Sequence, residues 1–182
     1  MNPQQRSRLL LVLVVLMFGT PFVAAVVMRF GGWQPGQTRN YGTLVQPPQD
    51  WSAIPLKTLD GAAYPFDPEG RRWHLLVLPP ESCEEQCRDQ ADVLHRLWVS
   101  EGRRAEKLDV LWPGAWPQGL ERFGGLREIE LPPALRAQVP VQGTAGDGVA
   151  AVLIDHNGFL VVSYAAGFDP SRMRRDIDRL VK

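Results

Sequence analysis

The sequence predicts an α/β sandwich domain preceded by one transmembrane helix. Three observations lead to this prediction. A run of 20 uncharged and mostly apolar residues lies near the N-terminus. Segments with the pattern of buried strands then alternate with a helical pattern, which is typical of an α/β domain. Further along, an Asn-Gly pair between two apolar segments predicts a β-hairpin ahead of a last helix.

The apolar run extends from Leu9 to Met28, with arginines on both sides. At about 1.5 Å per residue it spans roughly 30 Å, which is the hydrocarbon thickness of a bilayer. The alternative is a cleaved signal peptide, because Val23-Ala24-Ala25 has the small residues of a cleavage site. The run continues past that point, and this favours an uncleaved anchor over residues 9–28.

A short basic N-terminus ahead of an apolar core usually stays in the cytoplasm, so residues 1–8 are predicted to be cytoplasmic. The basic residues near the two ends of the run are almost equal in number, so the positive-inside rule alone does not decide the orientation. We expect a single-pass protein of the inner membrane whose C-terminal part is periplasmic. Cysteines on that side are oxidised unless they bind metal or a partner keeps them reduced.

The charge of the chain argues against a nucleic-acid partner, because the net charge is zero and the isoelectric point is about 6.8. Residues 29–53 are rich in Gly, Pro and Gln and are predicted to be a linker. Residues 54–182 are long enough to form one domain with its own core.

The first part of this domain combines strands with one helix. Cys87, Ala91, Leu94 and Trp98 recur at helical spacing and predict a helix from Cys83 to Ser100. Apolar runs that end at turn residues predict the strands, at Ile54–Leu59, Arg72–Leu78 and Leu108–Trp112, with a shorter one at Leu126–Leu131. Residues 118–148 are otherwise ambiguous and include a Gly-rich loop over 143–148.

The C-terminal elements have clearer signals. Val149–Asp155 and Phe159–Tyr164 flank Asn157-Gly158, the pair that predicts the hairpin. Asp169-Pro170 predicts a helix start with an N-cap aspartate and proline at the first helical position. An apolar stripe then follows at Met173, Ile177, Leu180 and Val181.

The chain contains only two cysteines, Cys83 and Cys87, at the start of the predicted helix. Because four residues make just over one helical turn, both sulfurs lie on one face and are close enough to form a bridge or share a metal. The helix dipole favours a thiolate at Cys83, whereas Glu81, Glu84 and Glu85 oppose it. Cys87 lies on the apolar stripe and is predicted to be the buried partner. The alternative is a purely structural disulfide.

Over roughly residues 54–182 the chain resembles the Sco family and its thioredoxin-like relatives. The resemblance rests on a CxxxC loop after a buried strand and on a hairpin with Leu153-Ile154-Asp155, Gly158 and Tyr164. It implies a thioredoxin-like sandwich that handles copper or disulfides during cytochrome c oxidase assembly. The implied partners are the inner membrane and either oxidase subunits or a copper chaperone. The implied site is Cys83 and Cys87, with Cu(I) as the cofactor.

The chain departs from this family at one position. Sco proteins also bind copper through a histidine just before the hairpin, and the corresponding loop, Val141–Gly148, contains none. His95 lies eight residues past Cys87, or about 12 Å along the helix. His74 lies more than about 10 Å from the end of its strand, and His156 is at the hairpin tip. Cys83 and Cys87 are thus the predicted copper ligands as well as the predicted redox pair.

Three functions remain open at this stage. The first is a membrane-anchored assembly protein that acts on oxidase copper centres as a thiol–disulfide partner or a Cu(I) carrier. The second is a non-catalytic interaction factor with a structural disulfide. The third is a general periplasmic thioredoxin-like reductase. Trp112 and Trp116, at the same edge of the sheet as the cysteines, are predicted either to pack in the core or to form a partner-binding rim. His95 is predicted to be a solvated helix position.

Overall fold

The computed structural model describes residues 3–31, 40–80, 85–141 and 148–181. These residues form two units, an N-terminal helix and an α/β domain that begins at Asn40. Cys83 and most of the predicted Gly-rich loop lie outside the described residues, so the predictions made for them are not tested.

Helix α1 (Pro3–Phe30) contains the predicted membrane segment. None of its residues is buried, and its most apolar window has a mean hydropathy of 2.7. The helix is long and apolar enough to cross a membrane, as was predicted for residues 9–28. A signal sequence meets the same criterion, so the choice between anchor and signal peptide stays a prediction.

Among the described residues, eight strands form one mixed sheet in the order β1-β8-β7-β4-β5-β6-β2-β3. Strands β4, β5 and β6 are parallel, and the other neighbouring pairs are antiparallel. The strands are β1 (Thr43–Asp50), β2 (Leu56–Thr58), β3 (Ala63–Tyr64), β4 (Trp73–Leu78), β5 (Leu108–Pro113), β6 (Leu126–Glu130), β7 (Ala150–Ile154) and β8 (Phe159–Tyr164).

Alternate residues of the central strands pack on opposite faces of the sheet. One face, with Leu75 and Val77 of β4, packs against helices α2 (Glu85–Ser100) and α4 (Pro170–Leu180). The opposite face packs against loops and the short helix α3 (Pro133–Arg136). A 3-10 helix at Gly102–Lys107 connects α2 to β5. The predicted α/β sandwich behind one apolar helix is therefore confirmed.

The hairpin and the last helix form for the predicted reasons. Gly158 adopts φ 92°, a left-handed conformation that glycine reaches without steric cost, and it joins β7 to β8. The Asp169 side chain accepts hydrogen bonds from the backbone N–H groups of Ser171 and Arg172, with Pro170 at the first helical position. This cap satisfies two N–H groups that the helix itself leaves without a partner.

The segment predicted as a linker over residues 29–53 contains a strand in its second half. Strand β1 pairs with β8 at the edge of the sheet, with Thr43 opposite Ser163 and Asp50 opposite Phe159. The pairing shifts register between Leu44 and Gln49, where Pro47 and Pro48 lie. Prolines are tolerated on an edge strand because one side of it needs no hydrogen bonds. The Pro-rich composition therefore concealed a strand, and the compact domain begins at Asn40 rather than at residue 54.

A buried carboxylate holds the start of the domain against α4. Asp176 is 1% exposed, and its Oδ2 accepts hydrogen bonds from the backbone N–H groups of Tyr41 at 2.8 Å and Gly42 at 2.9 Å. The Tyr41 hydroxyl accepts a hydrogen bond from the N–H of Asp169, and Arg172 lies 4.7 Å from the centre of the Tyr41 ring. Residues 40–42 are thus fixed to the C-terminal helix along about two turns.

Candidate functional site

Cys87 occupies the first turn of α2, after the carboxyl end of the central strand β4. It is 6% exposed and belongs to the core cluster that contains Ala91 and Leu94, at the spacing of one helix face. The prediction that Cys87 is buried is confirmed. Among the described residues no cysteine is a free thiol. Cys83 lies outside the described residues, and its pairing with Cys87 stays a prediction.

The edge of the sheet near Cys87 is formed by the ends of three strands. Strands β4 and β5 are parallel and end there at Leu78 and Pro113, and Ala150 at the start of β7 lies opposite Leu78. In open α/β sheets the carboxyl ends of parallel strands are where ligands bind. The cysteine segment therefore leaves the sheet at the edge where a site is expected.

Two tryptophans close one side of this region. Trp112 and Trp116 are only 3% and 4% exposed and meet edge to face, with ring centroids 5.0 Å apart. Both belong to the same core cluster as Cys87. Of the two interpretations left open by the sequence, the structure supports core packing over an exposed partner-binding rim. The backbone N–H of Trp116 donates to Glu128 Oε1 at 2.6 Å, which fixes the loop after β5.

None of the three histidines joins a metal-binding group within the described part of the chain. No group of three or more His, Cys, Asp or Glu side chains there is arranged to hold a metal ion. His74 lies near the start of β4, at the opposite end of the strand from the cysteine segment. His156 lies in the turn between β7 and β8, as predicted, with its ring 6.3 Å from that of Trp73.

The prediction that His95 is solvated is wrong. The imidazole is half-buried and stacks on Phe123, with an interplanar angle of 5° and a centroid distance of 5.1 Å. The physical reason is the loop after β5, which folds back over α2 and places Phe123 between His95, Trp98 and Trp116. The helical pattern alone contains no information about this loop.

A buried polar network at the other end of β4 was not anticipated. His74 Nδ1 lies 2.9 Å from the Tyr64 hydroxyl, which donates to Asp109 Oδ2 at 2.6 Å. Arg72 and Arg127 reach the other oxygen of Asp109 at 3.2 and 3.4 Å. His74 and Asp109 are 1% and 2% exposed and lie side by side on the parallel strands β4 and β5. The sequence signal for this network is a single polar residue in each of two otherwise apolar strands, His74 in β4 and Asp109 in β5.

The environment of this network suppresses ionisation of two of its members. Burial lowers the pKa of His74 to about 4, an effect that the charge of Asp109 partly opposes and that of Arg72 reinforces. Burial, followed by the charge of Asp109, raises the pKa of Tyr64. A tyrosine hydroxyl has a single proton, and here it goes to Asp109. His74 therefore carries its own proton on Nδ1, which donates to the tyrosine oxygen.

Comparisons with known proteins agree with this architecture. A family model described as "Transmembrane-like, thioredoxin-like, C-terminal domain" matches residues 73–182. No curated protein matches the chain. Solved structures with a similar fold include a SCO1/SenC family lipoprotein from Bacillus anthracis, which is 13% identical with a TM-score of 0.50 and covers 76% of this chain and 99% of that chain.

Two further solved structures match the chain. The bacterioferritin comigratory protein of Xanthomonas campestris is 11% identical, with a TM-score of 0.51, and covers 78% of this chain and 97% of that chain. ScoI of Bradyrhizobium japonicum with copper bound is 14% identical, with a TM-score of 0.45, and covers 76% of this chain and 98% of that chain. At these identities the likeness concerns the fold alone.

Proposed function

The chain belongs to the family of transmembrane-like, thioredoxin-like C-terminal domains, and we propose that its domain carries out thiol–disulfide exchange through Cys83 and Cys87. The observation on which this proposal depends is the placement of Cys87. It is buried in the first turn of α2, directly after the central strand, and the other cysteine precedes it by four residues. A buried resolving thiol behind a second, more accessible one is the arrangement that an exchange cycle needs.

The proposed cycle transfers two electrons. The Cys83 thiolate attacks one sulfur of a partner disulfide, and a mixed disulfide forms while the other partner sulfur leaves as a thiolate. Cys87 then attacks Cys83 in the mixed disulfide, so that the partner departs fully reduced and the Cys83–Cys87 bridge forms. The reverse sequence oxidises a dithiol partner. Both directions use the same two sulfur atoms.

We further propose where this chemistry takes place and for which class of client. An uncleaved α1 would anchor the protein in the inner membrane, with the domain in the periplasm and the N-terminus in the cytoplasm. A role in cytochrome c oxidase assembly is supported by the CxxxC segment and the hairpin, which resemble those of Sco proteins. The fold shared with a SCO1/SenC family lipoprotein is consistent with this role. Oxidase subunits or a copper chaperone would then be the partners.

The test of the exchange reaction uses single cysteine variants of the full-length protein in a non-ionic detergent. Cys87→Ser should accumulate a mixed disulfide with a disulfide-containing partner peptide, because the resolving thiol is absent. Cys83→Ser should accumulate much less, since the remaining thiol is buried. In glutathione buffers the wild-type pair should show a midpoint above about −300 mV, the region below which structural bridges fall. A pair that resists reduction in the native state would instead establish the structural disulfide.

A second candidate function is transient transport of Cu(I). It is favoured by two soft sulfur ligands four residues apart, which suit Cu(I) at low coordination number. The sequence provides no histidine in the loop before β7, and the described histidines are engaged elsewhere. We therefore expect one equivalent of Cu(I) on the reduced protein only, with a sulfur-dominated X-ray absorption spectrum. Single alanine substitutions of His74, His95 or His156 should leave the affinity almost unchanged. Loss of binding in one of them would reject a two-sulfur site.

A further inference from the structure

An open groove lies between the C-terminal half of α2 and the start of α4, away from the cysteine end of the domain. It has a volume of about 340 Å³. Val93, Leu97 and Pro170 provide its apolar lining, and Arg96 and Arg174 contribute positive charge. We call this feature the α2–α4 groove. It combines an apolar surface with guanidinium groups, which is the composition of a peptide-binding surface rather than of a core defect.

One of these arginines is held in place by a buried carboxylate and a backbone oxygen. Arg174 Nη2 donates to the backbone oxygen of Ser100 at 3.0 Å, and its Nε lies 3.3 Å from Glu101 Oε1. The Glu101 side chain is only 1% exposed. Arg104 and Asp178 form a second bridge between the 3-10 helix and α4, at 2.8 Å. The helices that bound the groove are therefore tied together, and the groove is preformed.

The second arginine faces solvent. The Arg96 side chain is 70% exposed and forms an ion pair with Asp92, one turn earlier on α2. Such an exposed pair contributes little to stability and can be replaced by an incoming carboxylate. Val99, on the same part of α2, is 56% exposed, more than any other large hydrophobic side chain described in the domain.

The surroundings of the groove are positively charged although the whole chain is neutral. Residues 92–107 and 169–180, which include the N-cap Asp169 beside the groove, together contain eight basic and six acidic side chains, which gives a net charge of +2. A ligand with negative charge is therefore favoured at this surface, and a basic ligand is disfavoured.

We propose that the α2–α4 groove docks an acidic, amphipathic segment of a partner protein. One apolar side chain of that segment enters between Val93, Leu97 and Pro170, and flanking carboxylates meet Arg96 and Arg174. The groove begins six residues beyond Cys87 on α2, about 9 Å along the helix axis, so a bound segment leaves the cysteine end open. This surface is independent of the proposed thiol chemistry.

The experiment measures fluorescence anisotropy of a labelled peptide titrated with the full-length protein in a non-ionic detergent. The probe peptide alternates Glu with Leu and Phe. One control peptide has Lys in place of Glu, and another has Ser in place of Leu and Phe. We expect binding of the first peptide alone, weakening as salt is added. Variants with Cys83→Ser or Cys87→Ser should bind it as the wild type does, so failure of the thiol proposal would not affect this result.

Two charge-reversal variants distinguish binding in the groove from nonspecific electrostatic attraction. Arg96→Glu should weaken binding at least about tenfold, because it places a carboxylate against the carboxylates of the peptide. Arg175→Glu makes the same charge change at an exposed position of α4 outside the groove lining, and should weaken it less than about threefold. Circular dichroism and the melting temperature of both variants check the fold. Equal losses in the two variants, or equal binding of the Ser peptide, would overturn the proposal. Self-association of the protein that Arg96→Glu abolishes would also overturn it, because a second copy of the chain would then occupy the groove.

Discussion

Acidification of the His74 network should destabilise the domain over a defined pH range. His74 is almost completely buried, and its Nε2 has no hydrogen-bond partner in the described part of the chain. Protonation would place a charge and an unpaired N–H group in the interior. The folded protein therefore resists a proton that the unfolded chain accepts with a pKa near 6.5.

The sign and size of the effect follow from this difference in pKa. A histidine whose pKa is lowered on folding makes its full contribution to the free energy of unfolding at pH 7, where it is neutral in both the folded and the unfolded state. Below about pH 6.5 the unfolded chain binds the proton first, so the free energy of unfolding falls until the folded pKa of about 4 is reached. At 1.36 kcal/mol per pH unit the full loss is about 3 kcal/mol, and about 2 kcal/mol of it occurs between pH 7 and 5.

The measurement is urea unfolding of the full-length protein in detergent at several pH values between 7 and 4, followed by tryptophan fluorescence. His74→Leu removes the titrating group together with the unpaired Nε2, and should flatten the profile by the calculated amount. His156→Gln, in the turn between β7 and β8, should keep the wild-type profile. Burial raises the pKa of Glu101, which acts in the opposite direction, but this contribution is common to all three proteins and cancels. Equal slopes in wild type and His74→Leu would refute the reasoning.

Three further predictions concern other elements of the fold. Asp176→Ala should cost about 2–4 kcal/mol and speed hydrogen exchange in β1, because it leaves one buried and one partly buried backbone N–H group without an acceptor. Asp176→Asn, which keeps an acceptor oxygen, should cost less. Asp169→Ala should cost about 1 kcal/mol through loss of the N-cap, measured by urea unfolding, with Asp169→Asn as a near-neutral control. A periplasm-active reporter fused after Lys182 should be active with the protein in the membrane fraction, whereas a soluble product beginning near Val26 would identify a signal peptide.

Most elements of the domain follow from local patterns in the sequence. The helical spacing of Cys87, Ala91 and Leu94 matches the buried face of α2. The Asn157-Gly158 turn and the Asp169 cap depend on residues close together in the chain, and both form as predicted. Strand β1 was missed because its two prolines are signals against a strand. Its formation depends on β8, more than 100 residues away, which no local pattern reports.

The polar network could not be predicted for a related reason. Its members come from β3, β4, β5, β6 and the residue before β4, and they meet only after the sheet has formed. The sequence places His74 away from the cysteines, which agrees with its position at the far end of β4. Its actual partners, Tyr64 and Asp109, are 10 and 35 positions away in the chain. A buried polar side chain implies that a partner exists but does not identify it.

The burial of Cys87 also links the proposed chemistry to the core of the domain. Its core cluster includes Trp112 and Trp116 from the β5 side of the sheet and Tyr164 from β8. Interiors of this kind are closely packed, so a sulfur that breaks and remakes a bond must move against these neighbours. If Cys87 cycles between bridged and reduced forms as proposed, the fit of these neighbours to each form would contribute to the redox midpoint. In the proposed exchange cycle, the loop that places Trp116 would therefore help to set the midpoint of the cysteine pair.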